Sequence, residues 1–314
     1  MHSVLPVLPA SNRNSIHTVT TPSGDLAVGH WRPRRSTAHP DSPVVLAVHG
    51  ITGNHRCWTY LVDTLKECRV IAPDLRGRGG SHEVPGPFGL RTHADDMVRV
   101  LDAFEVDRAV LVGHSMGGFV ATVAAHRHPD RFHSVVLVDG GLPMTREIPT
   151  DPEEVSERVI AHIRRRLNQN FRSVAEASTW WSAHPAFVGQ WSPVVGDYAA
   201  YDLGGRTPKL RSRVCAEAVT VDSHDVLASH DVRQALDESR HPTQFLVVNR
   251  GLLGTSPGLY LPEDVAHWLE RYPQVEMHPL PELNHYTVVL SREGGRAIAG
   301  AVERALASKP AALV

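Results

Sequence analysis

The amino-acid sequence predicts an α/β fold in which a mostly parallel sheet is flanked by helices. Continuous apolar runs rich in β-branched residues occur at 44–48, 110–112, 135–138 and 245–248, and such runs are typical of strands buried on both faces of a parallel sheet. Segments with apolar residues at helical spacing lie between several of these runs. A chain of 314 residues that is 42% hydrophobic and 21% charged can bury the core that such a sheet requires.

The segments before the first buried run predict an antiparallel opening. Two short strands, 16–20 and 26–31, flank a turn that contains Pro22 and Gly24, which indicates a hairpin. A loop rich in proline and arginine, 32–43, follows. The other elements that the pattern predicts are helix 58–66, strand 69–72, helix 92–104, a helix within 257–272, strand 275–280 and a closing amphipathic helix at 294–307.

A glycine-flanked serine forms the strongest motif of the chain. The strand 110–112 leads into Gly113-His114-Ser115-Met116-Gly117, and an apolar helical pattern follows at 120–125. This succession of strand, sharp turn and helix around Gly-x-Ser-x-Gly is the setting in which a serine serves as a nucleophile at the edge of a sheet. The glycines allow the close approach of backbone that the turn needs. Ser115 is therefore the candidate nucleophile.

The sharp turn at Ser115 and the motifs around it resemble those of the α/β-hydrolase family, in which such a turn is called the nucleophile elbow. In that family a His-Gly turn after an early strand supplies one backbone donor of the oxyanion hole, and the resemblance implies this role for the amide of Ile51, after His49-Gly50. The amide of Met116, the residue after the nucleophile, is the expected second donor. The family keeps its general base in the loop after the last strand, which implies that His285 is the base.

The loop at 74–81 resembles the Asp-x-Arg-Gly-x-Gly-x-Ser loop that is common in the family. It lacks the Gly-Lys-Ser or Gly-Lys-Thr ending of a phosphate-binding loop. We therefore expect a structural role, in which Asp74 and Arg76 hold the loop in place.

The position of the catalytic acid departs from the commonest family pattern. Most members place it after the penultimate strand, but the residues after 244–248 in this chain, 249–255, contain no carboxylate. In a minority of the family the acid follows the strand next to the nucleophile strand, and Asp139 occupies that place. We assign the acid to Asp139 over Asp264 or Glu263, which lie in a predicted helix. The alternative that Asp139 is only a turn residue before two glycines stays open.

Residues 142–241 interrupt the alternation of strands and helices. Asp151-Pro152-Glu153-Glu154 is a helix N-terminal signal, and further helices are predicted at 174–181 and 214–220. A proline- and glycine-rich interval lies between 185 and 208. The resemblance implies that 142–241 is a helical cap inserted after the sixth core strand, between a first part of the core, 1–141, and a second part, 242–314.

Aromatic residues are concentrated in this predicted cap. We expect Trp58, Trp191, Tyr198 and Tyr201 to contact the substrate, although packing of the cap on the core explains such aromatics equally well. The run Arg164-Arg165-Arg166 predicts a solvated helix face rather than an anion site.

These residues predict a serine hydrolase that cleaves a carboxylic ester or lactone of a medium-sized apolar substrate. Ser115, Asp139 and His285 would form the triad and an acyl-enzyme would form on Ser115. Fungal lactonases of this fold also place the acid after the strand next to the nucleophile strand, which favours a lactone as the substrate. The alternatives are a thioesterase or acyltransferase of secondary metabolism, a C–C bond hydrolase, and a ligand receptor without catalytic activity on the same scaffold. Ser115 stands where epoxide hydrolases and haloalkane dehalogenases carry aspartate, which argues against both.

Composition and motifs also indicate which partners, metals, cofactors and cellular locations to expect. The formal net charge of −2 gives no electrostatic reason to expect nucleic acid or an anionic membrane as a partner. The sequence has no His-Glu-x-x-His motif, cysteine cluster or dinucleotide fingerprint, so we expect no metal and no cofactor. Three dispersed cysteines and the lack of a signal peptide or transmembrane run predict a cytoplasmic protein. Whether it forms a homo-oligomer stays open.

Overall fold

A computed structural model of the chain describes residues 14–34, 42–146, 163, 166–228, 230–239 and 241–307. In this part of the chain the strands are β1 (Asn14–Thr21), β2 (Gly24–Trp31), β3 (Val44–Val48), β4 (Arg69–Pro73), β5 (Ala109–His114), β6 (Phe132–Val138), β7 (Leu203–Arg206), β8 (Lys209–Ser212), β9 (Thr243–Arg250) and β10 (Val275–Asn284). Eight of them form one sheet in the order β1-β2-β4-β3-β5-β6-β9-β10, and β7 and β8 form a separate pair.

The sheet is antiparallel only at its first edge. β1 pairs with β2, and β2 with β4, in antiparallel register. The pairs from β4 through β3, β5, β6 and β9 to β10 are all parallel. The carboxyl ends of β3, β5, β6, β9 and β10 therefore lie along one edge, and the loops that follow them meet there.

The same residues form ten α-helices, which cover both faces of the sheet. They are α1 (Thr59–Thr64), α2 (Leu90–Ala103), α3 (Met116–Arg127), α4 (Val174–Ser182), α5 (Pro193–Tyr201), α6 (Ala216–Ala228), α7 (His230–Glu238), α8 (Pro262–Arg271), α9 (Thr287–Leu290) and α10 (Arg292–Ala307). The predicted fold class, a mostly parallel sheet flanked by helices, is confirmed.

The strand β5 shows why continuous apolar runs predict such a sheet. Its side chains alternate between two hydrophobic cores: Leu111 packs with residues of α2 and α3, whereas Val110 and Val112 pack with residues of α1 and α10. Because both faces are covered, every residue of β5 is buried and no position requires a polar side chain.

The segment between β6 and β9 contains α4, α5, the hairpin β7-β8, α6 and α7. α7 packs against α3 of the core. The hairpin and α5 were not predicted, since their residues lie largely in the proline- and glycine-rich interval 185–208. The predicted helix that begins at Asp151 lies outside the described residues. None of the described helices is both long and apolar enough to span a lipid bilayer.

Candidate active site

Ser115 occupies a strained turn between β5 and α3. Its backbone has φ 54° and ψ −126°, a left-handed conformation that side chains rarely adopt. The Ser115 amide donates to the carbonyl of Val138 at 2.9 Å, and its own carbonyl accepts from the Gly118 amide at 2.8 Å. These bonds hold the turn against the end of β6.

Glycines around the serine are required by contact distances. A Cβ on Gly113 would lie 2.1 Å from the Gly117 carbonyl oxygen, and one on Gly117 would lie 2.1 Å from that of Val48. A Cβ on Gly140 would lie 2.2 Å from the Ser115 carbonyl oxygen. The backbones of β3, the elbow and the loop after β6 thus approach each other more closely than any side chain permits.

The loops after β6 and β10 bring Asp139 and His285 together. His285 Nδ1 lies 2.6 Å from Asp139 Oδ2, and the carboxylate is completely buried. Asp139 also has a positive φ, 46°, and its amide donates to the Leu246 carbonyl at 2.8 Å. These contacts turn the carboxylate at the end of β6 toward the loop that carries His285.

Two further residues fix the backbone of His285. The His285 amide donates to the Arg250 carbonyl at 3.0 Å. His114 Nε2 donates to the His285 carbonyl at 2.9 Å, and burial lowers the pKa of His114 well below its usual value. A neutral His114, next to the nucleophile in sequence, thus anchors the loop of His285, a contact that the sequence analysis did not foresee.

Asn284 shapes the same loop and was also missed. Its side-chain oxygen accepts from the amides of Tyr286 and Thr287, both at 2.9 Å, while its side-chain nitrogen donates to the Ala186 carbonyl at 2.9 Å. Asparagine directly before a predicted base is a recognisable turn signal, since its side chain readily bonds to following amides.

The expected oxyanion donors, Ile51 and Met116, both line the cavity that contains Ser115. Met116 is the first residue of α3, so its amide has no acceptor within the helix. The Gly50 carbonyl, which shares a peptide plane with the Ile51 amide, accepts from the Gly53 amide at 2.9 Å. The carbonyl of Ile51 itself accepts from Arg78 Nε at 2.9 Å, so the turn is held on both sides of this residue. Backbone N–H groups held in this way can bind an oxygen that develops negative charge.

His49 supports the turn that contains Ile51. Its Nδ1 lies 2.8 Å from the Gly50 carbonyl, and its Nε2 accepts from the Leu75 amide at 3.0 Å. This pattern requires the neutral ring with the proton on Nδ1. Burial lowers the pKa of His49 to about 4, in agreement with the neutral form.

Asp74 and Arg76 are engaged in contacts within the protein. Asp74 accepts from the amides of His55 and Gly80 and from the Tyr201 hydroxyl. Burial raises the pKa of Asp74, but attraction and hydrogen bonding by His55 outweigh burial and lower it to about 2. Arg76 forms a two-pronged pair with Asp96 at 2.6 and 2.8 Å. These contacts agree with the expected structural role, in which Asp74 and Arg76 hold the loop 74–81 in place.

Ser115, Asp139 and His285 all line one cavity of about 330 Å³. Its wall is mainly apolar and comes from the core and from the segment between β6 and β9. The residues that this segment and the loops beside it contribute include Met144, Ile163, Arg166, Gln169, Trp180, Tyr198, Val226, Leu227 and Leu259.

Of the four residues expected to contact the substrate, three do not line the cavity that contains Ser115, which corrects that expectation. Tyr198 lines the cavity, but Trp58 is fully buried in the core beside α1. Trp191 is 36% exposed at the surface, and the Tyr201 hydroxyl donates to Asp74 at 2.8 Å. These three residues do not line the cavity: Trp58 packs in the core, Trp191 is partly exposed to solvent, and Tyr201 is bonded to Asp74.

The expectation that Arg164–Arg166 form a solvated face also needs correction, because Arg166 lines the cavity. Arg164 and Arg165 lie outside the described residues. The described residues contain no group of three or more histidine, cysteine, aspartate or glutamate side chains that could hold a metal ion.

A family model described as the alpha/beta hydrolase fold matches residues 43–194. Together with the sheet order and the turn at Ser115, this match shows that the chain has the α/β-hydrolase fold.

Solved structures with the same fold extend the likeness to nearly the whole chain. The thioesterase domain from the curacin biosynthetic pathway has a TM-score of 0.72 and 21% identity, and the comparison covers 93% of this chain and 100% of that one. E-2-(acetamidomethylene)succinate hydrolase has a TM-score of 0.74 and 19% identity, with coverage of 94% and 100%.

Sequence relatives match over shorter stretches. An uncharacterized protein of Mycobacterium tuberculosis, Rv2715, is 30% identical over 131 residues, which are 41% of this chain and 38% of that protein. Protein ABHD8 of Homo sapiens is 33% identical over 108 residues, 33% of this chain and 25% of that protein. The chain thus matches well under half the length of these relatives.

Proposed function

We propose that the protein is a serine hydrolase that cleaves a carboxylic ester or lactone of a medium-sized, largely apolar substrate. The observation that carries this proposal is the cavity itself. Its wall contains a strained serine, a histidine and a buried carboxylate bonded to that histidine at 2.6 Å. These three groups, from three distant parts of the chain, are what acyl transfer through a serine requires.

In the proposed reaction His285 moves the protons and Asp139 orients it. Ser115 Oγ attacks the carbonyl carbon and its proton passes to His285 Nε2, while Asp139 holds Nδ1. The tetrahedral intermediate then expels the alcohol, which takes the proton from Nε2 and leaves an acyl-enzyme. Water attacks this ester in the same way and releases the acid. In a lactone, the alcohol stays attached to the acid.

The amides of Ile51 and Met116 would stabilise the negative oxygen of each tetrahedral intermediate. A donor of this kind contributes about 3 kcal/mol in known cases. Arg78 holds the Ile51 carbonyl and His49 holds the turn before it, so the Ile51 amide is positioned before substrate binds.

The proposed cap, residues 142–241, supplies much of the apolar wall. Trp180, Tyr198, Val226 and Leu227 belong to this segment. A wall of this composition favours an apolar acyl or alcohol group and excludes water from the reacting centre.

Labelling with a fluorophosphonate probe tests the proposal directly. We expect the probe to attach to Ser115, as located by mass spectrometry of peptides, and the variant Ser115→Ala to remain unlabelled and to lose hydrolysis of p-nitrophenyl esters. A folded protein that is not labelled would exclude a nucleophilic role and favour a ligand receptor. A panel of esters, lactones, thioesters and vinylogous diketones of matched size then separates the esterase from a thioesterase or a C–C bond hydrolase.

A further inference from the structure

Arg166 introduces a positive charge into the wall of the cavity. Among the cavity-lining residues in the described part of the chain, Arg166 and Asp139 are the only Arg, Lys, Asp or Glu side chains. Asp139 is occupied by its hydrogen bond to His285. Arg166 is therefore the one strongly charged group of this wall whose role is not explained by the proposed triad.

Within the described residues no carboxylate forms an ion pair with Arg166 within 4.0 Å, and its Nη2 atom is buried without a hydrogen-bond partner. The guanidinium lies over Trp181, with Cζ 5.2 Å from the ring centre. This contact with an aromatic face orients the guanidinium but leaves the buried Nη2 donor without an acceptor in the described part of the chain.

Asp202 does not neutralise Arg166 by direct contact. No ion pair within 4.0 Å joins the two side chains, and among the described residues Asp202 Oδ1 is buried without a hydrogen-bond partner. Burial raises the pKa of Asp202 to about 6, and attraction by Arg166 only partly opposes that rise.

A guanidinium whose Nη2 atom is buried without a hydrogen-bond partner is unfavourable until an anion binds it. Its planar arrangement of donors matches a carboxylate, which can accept two parallel hydrogen bonds. Gln169 also lines the cavity and adds an amide that can donate a further bond.

We propose that Arg166 binds a carboxylate of the substrate that takes no part in the reaction. The substrate class is then an ester or lactone with an apolar middle and one free carboxylate, so the products include a dicarboxylic acid or a hydroxy acid with a second carboxylate. This inference rests on the proposed hydrolase function and narrows its substrate.

Two esters of matched shape test the inference. One is the mono-p-nitrophenyl ester of adipic acid; the other is p-nitrophenyl 6-methylheptanoate, in which an isopropyl group replaces the free carboxylate. We expect the wild-type protein to prefer the adipate ester in kcat/KM. Arg166→Met should lower kcat/KM for the adipate ester by roughly tenfold to a hundredfold more than kcat/KM for the neutral ester, because a hydrogen bond to a charged group contributes about 1.5–3 kcal/mol. Arg166→Lys should retain part of the preference.

Arg213→Met is the matched control. Arg213 belongs to the same segment and interacts with Asp202, but its Nε donates to the Leu203 carbonyl and it does not line the cavity. We expect this variant to keep the wild-type ratio between the two esters. An equal loss on both esters in Arg166→Met, or a wild-type preference for the neutral ester, would overturn the inference.

A binding measurement separates this inference from the hydrolase proposal. Adipate should raise the melting temperature of the wild-type protein and of Ser115→Ala, but not of Arg166→Met. If Ser115 is not labelled by fluorophosphonate and adipate still binds through Arg166, only the hydrolase proposal fails. If the neutral ester is hydrolysed and adipate has no effect on melting, only the carboxylate site fails.

Discussion

Arg78 Nη1 and Asp222 Oδ2 lie 2.6 Å apart, and neither side chain is exposed to solvent. Arg78 follows β4 and its Nε also donates to the carbonyl of Ile51. Asp222 lies in α6, and its neighbour Ser223 lines the cavity. One guanidinium therefore connects the helix that borders the cavity with the turn that carries a proposed oxyanion donor.

The first prediction concerns this connection. Asp222→Asn should lower kcat by about tenfold or more while KM changes little, because Arg78 loses its counter-charge and the turn that carries the Ile51 amide loses one of its anchors. Stability should fall too, since removing one partner of a buried pair typically costs about 3–5 kcal/mol. Steady-state kinetics at a temperature where the variant is folded, with circular dichroism as the check, measures the effect.

Asp225→Asn is the control for that variant. Asp225 lies on the same helix and its Oδ2 accepts from the Leu90 amide at 2.9 Å, just as Asp222 Oδ1 accepts from the Gly89 amide at 2.7 Å. Asp225 makes no ion pair with Arg78 among the described residues. Equal losses of kcat in the two variants would mean that Asp222 only attaches α6 to α2.

The second prediction concerns the acid. Asp139→Asn should lower kcat on the order of 10³–10⁴-fold, because an amide can neither stabilise the imidazolium nor fix its tautomer in the same way. Asp264→Asn should stay close to wild type, since Asp264 accepts from Arg146 Nε at 2.7 Å in a pair at the protein surface. Turnover of one p-nitrophenyl ester by both variants decides between them, and the reverse order of activities would move the acid to α8.

The fold could be predicted from the sequence because its main signals are local. The buried run of β5 and the glycines of the elbow each lie within a few residues of Ser115. Apolar runs of four or five residues and their alternation with helical patterns need no knowledge of distant contacts. The structure confirms the fold class for this reason.

The polar contacts around the cavity depend on distant pairings and could not be predicted. Nothing in the helical pattern near 214–220 indicates that Asp222 faces Arg78, which lies more than a hundred residues earlier in the chain. Arg166 was expected in solvent because a run of three arginines usually is, and its position depends on how the segment between β6 and β9 packs over the core. Tyr201 was expected to contact the substrate, but its hydroxyl donates a hydrogen bond to Asp74 instead.

The third prediction tests the close backbone approach at the elbow. Gly140→Ala should abolish activity and destabilise the protein, because the new Cβ would meet the Ser115 carbonyl oxygen at 2.2 Å and the Ser115 Cα at 2.5 Å. Gly300→Ala in α10 is the control: its Cβ would meet only the Arg304 Nη1 atom, at 3.6 Å, and helix propensity predicts a gain of up to about 1 kcal/mol. Thermal unfolding of both variants measures the contrast, and a stable, active Gly140→Ala would refute the geometry of the turn.

The fourth prediction is a loss of stability in acid that originates at His49. The folded protein holds this ring neutral, with Nε2 accepting from the Leu75 amide, and burial lowers the pKa from 6.5 to about 4. In the unfolded chain the His49 ring binds a proton near pH 6.5. Its contribution to the free energy of unfolding is therefore fully present above that pH and is lost as the pH falls toward 4. The loss from this residue reaches up to roughly 3 kcal/mol.

His49→Gln isolates that contribution. The variant is less stable at every pH, but its free energy of unfolding should change less between pH 7.5 and pH 5.0 than that of the wild-type protein, because glutamine takes up no proton. Urea unfolding at the two pH values gives both differences. His30, whose pKa burial also lowers to about 4, leaves a residual acid dependence in the variant. Identical pH dependence in the two proteins would show that the folded protein does not lower the pKa of His49, and would contradict the prediction.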